Sequence, residues 1–439
     1  MSKITNAVQA AVQNATRRLD IMFPGYFPEV KHNHYRDFGW PESLTFQQFY
    51  AMYNRNGLAK GAVERTVLKT WQDAPEIWES AEAKESTLES DIRQRFDDLR
   101  VWQVLAEADR RAMVGGYAGV ILRFRDDRGF RESVDTVPGG LDGIAEVIPA
   151  WGGAGAQLEV SEYITDTESE DYGKPKMYRF NEAAVGNDLT KVRQFEVHPD
   201  RVLIWSRDGT VDCRSDLESG YNDLLDAEKV KGAGGEGFYK AARGNPILEA
   251  DKDLDMNRMA QAMGVEVEKL ADAMNEQVED FQKGFDKLLM LQGMQAKTLQ
   301  VTLPTGDTYS NAAVSSFAAS MMIPVKILMG SQTGERASTE DQEDWNLVNN
   351  ARRINIGKPR IRELINRLER FQIIPERDWT INWADLTEAG KDKKIERAFK
   401  MAEINAKQKD DPVYHADEIR VAAGDSAGAP DPFSDGDDE

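Results

Sequence analysis

Residues 317–371 read FAASMMIPVKILMGSQTGERASTEDQEDWNLVNNARRINIGKPRIRELINRLERF, and this stretch is the most informative part of the sequence. Small and apolar residues at its start predict a short helix that ends at Pro324, because proline removes a backbone donor. A polar, glycine-bracketed segment follows, longer than a tight turn needs, and such loops usually carry function. We therefore predict a functional loop made of Gly330, Ser331, Gln332, Thr333, Gly334, Glu335 and Arg336.

A long helix is predicted after this loop. Ser338, followed three residues later by Asp341, fits a capping-box start, and apolar residues recur at helical spacing from Ile361 to Leu368. We expect one helix from Ser338 to Phe371. Pro359 should kink it, because the proline ring clashes with the preceding turn.

Composition narrows the class of protein. The 439 residues suffice for two to four domains, and 41% hydrophobic residues allow a sizeable core. A formal net charge of −21 argues against a basic DNA-binding face, which needs clustered Lys and Arg. Cys213 is the single cysteine, so an intramolecular disulfide is excluded. No apolar run approaches the roughly 20 residues that span a bilayer, and no membrane partner is expected.

Strands and helices alternate irregularly along the rest of the chain. Apolar runs predict strands at 117–124, 144–151, 176–180 and 193–197. A helix is predicted from Tyr221, with a glycine-rich break at 232–237. The fold class is therefore α+β and mainly helical.

Motifs that would indicate catalysis are weak in this chain. Gly232, Gly234 and Gly237 match G-x-G-x-x-G, but a charged helical segment precedes them instead of a strand, so we interpret them as a flexible loop. The chain contains no P-loop motif, and G-x-S-x-G occurs only in the acidic tail. His32 and His34 could share one face of a strand, yet zinc sites usually need three or four ligands. We expect no metal, no cofactor and no catalytic residue.

The order of elements resembles that of tailed-bacteriophage portal proteins over roughly residues 44–423. Three groups of residues carry the resemblance. They are Ile323-Pro324, Ile327-Leu328, Gly330, Gly334, Ser338-Thr339 and Asp341 around the loop; His198-Pro199-x-Arg201-Val202; and the helical ending from Val413 to Arg420.

The resemblance implies a portal fold with a wing, a stem, a clip and a crown around a tunnel. Carried onto this sequence, it divides the chain into an N-terminal arm (1–44), a first wing part (45–151), a clip (152–200), a stem helix region (201–250), a second wing part (251–329), a tunnel loop (330–337), a long kinked helix with the wing–crown junction (338–384), a crown (385–423) and a disordered acidic tail (424–439).

The resemblance also implies a function. Portal proteins form a ring, usually of twelve subunits, at one capsid vertex of the virion; they are not enzymes. Expected partners are double-stranded DNA in weak contact with the tunnel, the terminase large subunit, the major capsid protein and scaffold, and a head–tail adaptor. The alternatives are a phage-encoded hydrolase or phosphodiesterase using His32 and His34, or another virion adaptor, although adaptors are usually shorter. Synthesis in the bacterial cytoplasm is expected.

Overall fold

The computed structural model describes residues 33–79, 86–182, 193–243, 245–250, 256–273, 294–299, 306–330, 335–387, 391–408 and 413–424. The chain divides into two compact units, Met1–Thr45 and Phe46–Glu439. In the first unit, helix α1 (His34–Phe38) begins after Asn33, whose side chain accepts a hydrogen bond from the backbone N–H of Arg36. It ends at Gly39, whose left-handed backbone (φ 65°) favours glycine.

The second unit contains the remaining helices and strands. In chain order they are α2 (Phe46–Arg55), α3 (Gly57–Thr70), β1 (Glu76–Trp78), α4 (Thr87–Asp98), α5 (Val101–Gly115), β2 (Tyr117–Phe124), β3 (Ile144–Trp151), β4 (Leu158–Tyr163), β5 (Pro175–Asn181), β6 (Gln194–Val197), β7 (Val202–Ser206), α6 (Tyr221–Arg243), β8 (Asn245–Ala250), α7 (Met256–Met263), β9 (Met294–Leu299), α8 (Asp307–Ser320), α9 (Val325–Met329), α10 (Glu335–Arg352), a π-helical turn (Arg353–Gly357), α11 (Lys358–Arg370), β10 (Thr380–Asn382), α12 (Lys391–Lys407) and α13 (Ala416–Ala423).

An antiparallel sheet of order β3-β2-β7 lies at the centre of this unit. Its middle strand, β2, is buried along almost its whole length because both faces are covered. Alternate residues Ala118, Val120 and Leu122 enter a core shared with α4, α5 and α11. Tyr117 and Ile121 point to the opposite face. The predicted strands at 117–124 and 144–151 are confirmed.

A second antiparallel sheet, β4-β5-β6, covers that opposite face. Leu158 on β4 packs so closely on β2 that a Cβ atom placed on Gly119 would lie 2.1 Å from the Leu158 side chain. Glycine is therefore required at this crossing. The predicted strands at 176–180 and 193–197 correspond to β5 and β6, whereas β4 was not predicted from the sequence.

The predicted glycine-rich break at 232–237 is wrong. Helix α6 continues through Gly232, Gly234, Gly235 and Gly237 to Arg243. A mid-helix glycine costs about 1 kcal/mol relative to alanine, which weakens a helix without forbidding it. The same finding removes the flexible-loop interpretation of the G-x-G-x-x-G string, which lies inside one helix.

Helices predominate over the short strands, so the predicted α+β, mainly helical class is confirmed. Two smaller sheets join distant parts of the chain: β1 pairs with β10, and β8 pairs with β9. At the end of the described chain, α12 packs on α13. No helix in the described ranges is both long and apolar enough to cross a bilayer.

Candidate functional site

The entrance to the predicted loop is a compact helical corner. Met322 adopts a left-handed backbone (φ 54°), and Ile323 then donates its backbone N–H to the carbonyl of Ala318 at 2.9 Å. Pro324 precedes α9, consistent with its fixed φ and missing N–H. Leu328 is buried, and α9 ends at Gly330 with φ 73°, a conformation that suits glycine. The corner therefore sets where the loop leaves the fold.

The exit from the loop differs from the sequence prediction. Helix α10 begins at Glu335, so Glu335, Arg336 and Ala337 belong to the helix rather than to the predicted loop. Ser338 lies inside the helix, and the predicted capping box at Ser338 and Asp341 is wrong. Glutamate near a helix N-terminus is favoured by the helix dipole, which is consistent with the earlier start. Residues 331–334, and the side chains of 335–338, lie outside the described residues.

One ion pair joins the two helices that flank the loop. The Nζ atom of Lys326 on α9 lies 3.4 Å from Oδ2 of Asp341 on α10. Both side chains are partly exposed, so this pair contributes at most about 1 kcal/mol to stability. Its geometric effect is to hold the two ends of the loop at one spacing.

Helix α3 lies beside Gly330, the residue at which the predicted loop begins. The guanidinium Nη2 of Arg65 lies 3.5 Å from the position that a Cβ atom on Gly330 would occupy. Asn56 caps this helix by accepting hydrogen bonds from the N–H groups of Leu58 and Ala59 at 2.9 and 3.1 Å. A groove of about 620 Å³ opens beside these elements; its lining includes Arg55, Leu58, Gly234, Ser310 and Met329.

The far end of α10 is anchored to α3 through buried polar side chains. Asn349 is fully buried; its Oδ1 accepts a hydrogen bond from Thr70 Oγ1 at 3.1 Å, and its amide donates to the carbonyl of Trp345 at 2.8 Å. Because both polar atoms of this amide have a partner, their hydrogen bonds offset the desolvation cost of burying it. The contact fixes which side of α10 faces α3.

Arg353 continues this anchor at the start of the π turn. Its guanidinium makes two hydrogen bonds to Asp73, at 2.6 and 3.2 Å, and donates to the carbonyls of Thr70 and Ala384. The group also lies 4.9 Å from the ring centre of Trp383. A planar guanidinium can satisfy these partners together, whereas a lysine ammonium cannot.

The preceding residue, Arg352, belongs to a separate buried network. Its Nη2 lies 2.5 Å from Oδ1 of Asp109. The same carboxylate accepts hydrogen bonds from the indole of Trp205 at Oδ1 and from the indole of Trp71 at Oδ2. Its Nη1 lies 3.8 Å from Asp216. Burial raises the pKa of the Asp216 carboxyl above its ordinary value, although Arg352 and Arg207 act in the opposite direction.

The long helix is irregular immediately before Pro359. The N–H of Lys358 bonds to the carbonyl of Arg353, five residues back, and the interruption spans Arg353–Gly357. Pro359 has no N–H for the carbonyl of Asn355, and the wider π turn accommodates this loss. The kink itself stays a prediction, whereas the single α-helix expected from Ser338 to Phe371 is corrected to α10, a π turn and α11.

The His198–Val202 motif lies under the C-terminal end of α11. Arg201 is buried and forms two hydrogen bonds to Asp126, at 3.1 and 2.6 Å. Arg367 donates to the carbonyls of Pro199 and Asp200 at 2.7 and 3.1 Å. The motif therefore joins the end of the β4-β5-β6 sheet to the long helix.

The histidines that the sequence analysis considered as metal ligands are not part of a site in the described residues. His32 and the side chain of His34 lie outside the described residues. Within the described ranges, no group of three His, Cys, Asp or Glu side chains could hold a metal ion.

The sequence from residue 47 to residue 407 matches the family model for phage portal proteins. The chain belongs to the phage portal protein family. The predicted resemblance is thereby confirmed for most of the chain, and with it portal function. No curated protein sequence matches the chain.

Solved structures similar to this portal-family chain come from gene transfer agent (GTA) particles. They are the neck of an empty GTA particle (C6 symmetry; 11% identity, TM-score 0.47, 87% of this chain and 93% of the other), the neck of a native particle (C12 symmetry; 11%, 0.45, 87% and 94%) and the virion of a native particle (11%, 0.45, 88% and 95%). The family assignment rests on the sequence match alone.

Several residues that shape the loop region of this portal-family chain had no sequence signal. The packing of α9 and α10 on α3 places Arg65 beside Gly330 and Lys326 beside Asp341, which the sequence had indicated only as a capping residue. Arg352 and Arg353 look like ordinary helix-surface cations in the sequence, and only the fold shows that they are buried. Ile323-Pro324 and Gly330, by contrast, were signalled by their backbone requirements.

Proposed function

We propose that this chain is the subunit of a ring of twelve copies at one vertex of a phage capsid. Double-stranded DNA passes through the ring during packaging by the terminase and again during ejection. The observation that carries this proposal is the portal-family match over residues 47–407. The mature ring resides in the virion, after synthesis of the chain in the host bacterium.

The charge of the chain suits a conduit. Twelve chains of net charge −21 would carry −252 formal charges. A wall of like charge repels phosphate and prevents the tight, salt-dependent adhesion that clustered Lys and Arg produce. Weak contacts let the duplex slide, whereas strong ones would hold it.

The regional roles follow the elements of the fold. The clip (152–200) is the β4-β5-β6 sheet, the stem region (201–250) contains α6, and the crown (385–423) is the α12–α13 hairpin. The wing comprises the remaining parts around the central sheet. Each of these roles is a proposal that an image of the assembled ring would test.

The segment from Gly330 to Arg336 is proposed to face DNA in the tunnel. Two features support this role: the left-handed end of α9 at Gly330, and the Lys326–Asp341 pair that spaces the loop ends. A loop on such a base can contact a passing duplex while its ends stay in place. Arg336 would supply transient phosphate contacts.

The partners of the ring follow from this role. The chain acts as a structural component, and ATP hydrolysis belongs to the terminase large subunit, which the clip would meet. The major capsid protein and scaffold would surround the wing, and a head–tail adaptor would attach after packaging. No cofactor enters any of these steps.

Imaging the purified chain tests the assembly. We expect annular particles in negative stain and a species of roughly half a megadalton, as expected for a closed ring. A compact monomer or dimer under all assembly conditions, with no annular particles, would overturn the proposal.

The role of the loop needs a separate experiment. Replacing 330–336 with a Gly/Ser segment of equal length should leave ring formation intact and change the amount of DNA packaged or retained per particle. Substituting residues 131–133, an exposed segment between β2 and β3, is a matched control because it lies outside the clip that is proposed to meet the terminase. Unchanged packaging after the loop replacement would remove the proposed role of the loop and leave the ring proposal standing.

A further inference from the structure

We propose that α10 of one copy docks through its outer apolar stripe onto the outer face of α3 in the next copy. The α3–α10 pair would then form the contact between neighbouring subunits. This inference rests on the proposed ring and adds to it the surface through which the ring closes.

The stripe on α10 and its continuation consists of Leu347, Ala351 and Ile354, at positions i, i+4 and i+7. All three are exposed, Leu347 by 59% and Ile354 by 51%. Trp345 and Asn349, two residues before Leu347 and Ala351, are buried against the fold. An offset of two residues is about 200° around a helix, so the stripe lies opposite the packed side of α10. An apolar stripe at this spacing is typical of a helix face that packs on another element.

The outer face of α3 has complementary features. Gly57, Gly61, Arg65 and Leu68 recur at i, i+4, i+8 and i+11, and Leu68 is 64% exposed. A Cβ atom added at Gly57 or Gly61 would meet nothing within 4 Å. Glycines without neighbours allow another backbone to approach closely. This face is therefore open to another element: the glycines leave it flat at the N-terminal end of α3, and Leu68 makes it apolar near the C-terminal end.

The two faces point in opposite directions. Thr70 of α3 bonds to Asn349 of α10, which shows that the inner sides of the two helices meet. Leu68 precedes Thr70 by two residues, about 200° around α3, just as the stripe lies about 200° from Asn349. Each α3–α10 pair thus carries one docking face on either side.

Opposite-facing surfaces favour a head-to-tail contact between copies. A two-fold dimer would pair each face with itself and leave the other face open. Docking the stripe of one copy on α3 of the next covers both faces in every copy, and repetition of that contact closes a ring. A second copy of the chain is therefore the occupant that this geometry fits.

Charge supports the same pairing. Glu340 and Asp344 are exposed on the stripe side of α10, and Arg65 is exposed on the outer face of α3. Within the described part of the chain, none of these three side chains forms an ion pair. Opposite charges across an interface steer the approach and set the register of docking. Since Arg65 also lies beside Gly330, the docked helix would reach the base of the next subunit's loop.

Charge introduced into either face tests the contact. We expect Leu347→Glu combined with Ile354→Glu, and separately Leu68→Glu, to lower the fraction of chains in annular particles at least tenfold, with circular dichroism and thermal midpoint unchanged. Tyr172→Glu, at a 58% exposed aromatic in the turn between β4 and β5, is the control and should form rings like the parent chain. Undiminished rings from both face variants would overturn the inference.

Cross-linking supplies a measurement that does not depend on losing assembly. In a Cys213→Ser background, rings of the Leu68→Cys, Leu347→Cys double variant should give a covalent ladder of several subunits with a short bis-maleimide, as seen on a denaturing gel. The Leu68→Cys single variant should run as an uncross-linked monomer on the same gel. A dimer from Leu347→Cys alone would show two-fold pairing and contradict the inference, as would the absence of a ladder from assembled rings. If the parent chain forms no rings at all, the proposed ring itself fails, which is a distinct result.

Discussion

Arg353 and Asp73 face each other in a two-point contact, with Nη2 to Oδ1 at 2.6 Å and Nη1 to Oδ2 at 3.2 Å. Arg353 is almost fully buried, whereas the side chain of Asp73 is 35% exposed. The contact fixes the start of the π turn to the segment after α3. It therefore determines where the long helix is attached to the rest of the fold.

Replacing Arg353 should be strongly destabilising. Arg353→Met removes the contacts to Asp73 and leaves the carbonyls of Thr70 and Ala384 without their donor, so we expect a loss of about 3 kcal/mol in the free energy of unfolding. Thermal and urea midpoints check this value. Arg397→Met, at an exposed arginine of α12, should change them by less than about 0.5 kcal/mol. A loss below about 1 kcal/mol at Arg353 would contradict the anchoring role.

Gly357 in the π turn should not tolerate a side chain. A Cβ atom there would lie 2.5 Å from Cζ3 of Trp383, so Gly357→Ala requires the indole to move, at a cost of about 1–3 kcal/mol. Gly232→Ala in α6, where a Cβ meets nothing within 4 Å, is the matched control. Its stability should rise by up to about 1 kcal/mol, because alanine favours helix. Thermal midpoints that move in the same direction for both variants would argue against this packing.

The Lys326–Asp341 pair should matter for loop spacing more than for stability. We expect Lys326→Glu to change the free energy of unfolding by about 1 kcal/mol or less, yet to alter the amount of DNA packaged. The double exchange, Lys326→Asp with Asp341→Lys, should restore packaging because the opposite charges again face each other. DNA content per particle is the readout. A double variant no better than Lys326→Glu would rule out the pair as the cause.

Asp216 should make stability depend on pH in a definite direction. Because burial raises its pKa in the folded state, folding binds a proton that the unfolded chain releases from about pH 4 upward. The free energy of unfolding therefore falls as the pH rises from about 4 through the folded-state pKa. Asp216→Asn removes this titration, so the variant should gain stability relative to the parent over that rise.

Urea midpoints measured at steps between pH 4 and 7 test this prediction. The parent chain, measured under the same conditions, is the reference for the Asp216→Asn variant. A relative stability of Asp216→Asn that decreases as the pH rises would contradict the assignment.

The sequence supported the parts of the fold whose signal is local. β2 and β3 were predicted correctly because each is a short, mainly apolar run. The corner at Ile323-Pro324 and Gly330 was signalled by backbone requirements that few other residues meet. Family-specific residues then identified the portal resemblance.

The parts that failed depend on tertiary packing. Helix α6 persists through its glycines, although the local propensity there opposes helix. The π turn and the burial of Arg352 and Arg353 follow from partners far away in sequence, such as Asp73 and Asp109. A helix start at Glu335 instead of Ser338 is within the usual uncertainty of element ends.

The close crossing of Gly119 and Leu158 has a consequence for engineering. One strand serves as the seat for the helical layer through Ala118, Val120 and Leu122 and for the β4-β5-β6 sheet through Tyr117 and Ile121. If the β4-β5-β6 sheet is replaced by that of a relative, β2 must be replaced with it, so that the strand leaves room for the side chain at the position of Leu158. Modular exchange of this region is a two-layer redesign, and swapping residues 152–200 alone would leave mismatched surfaces.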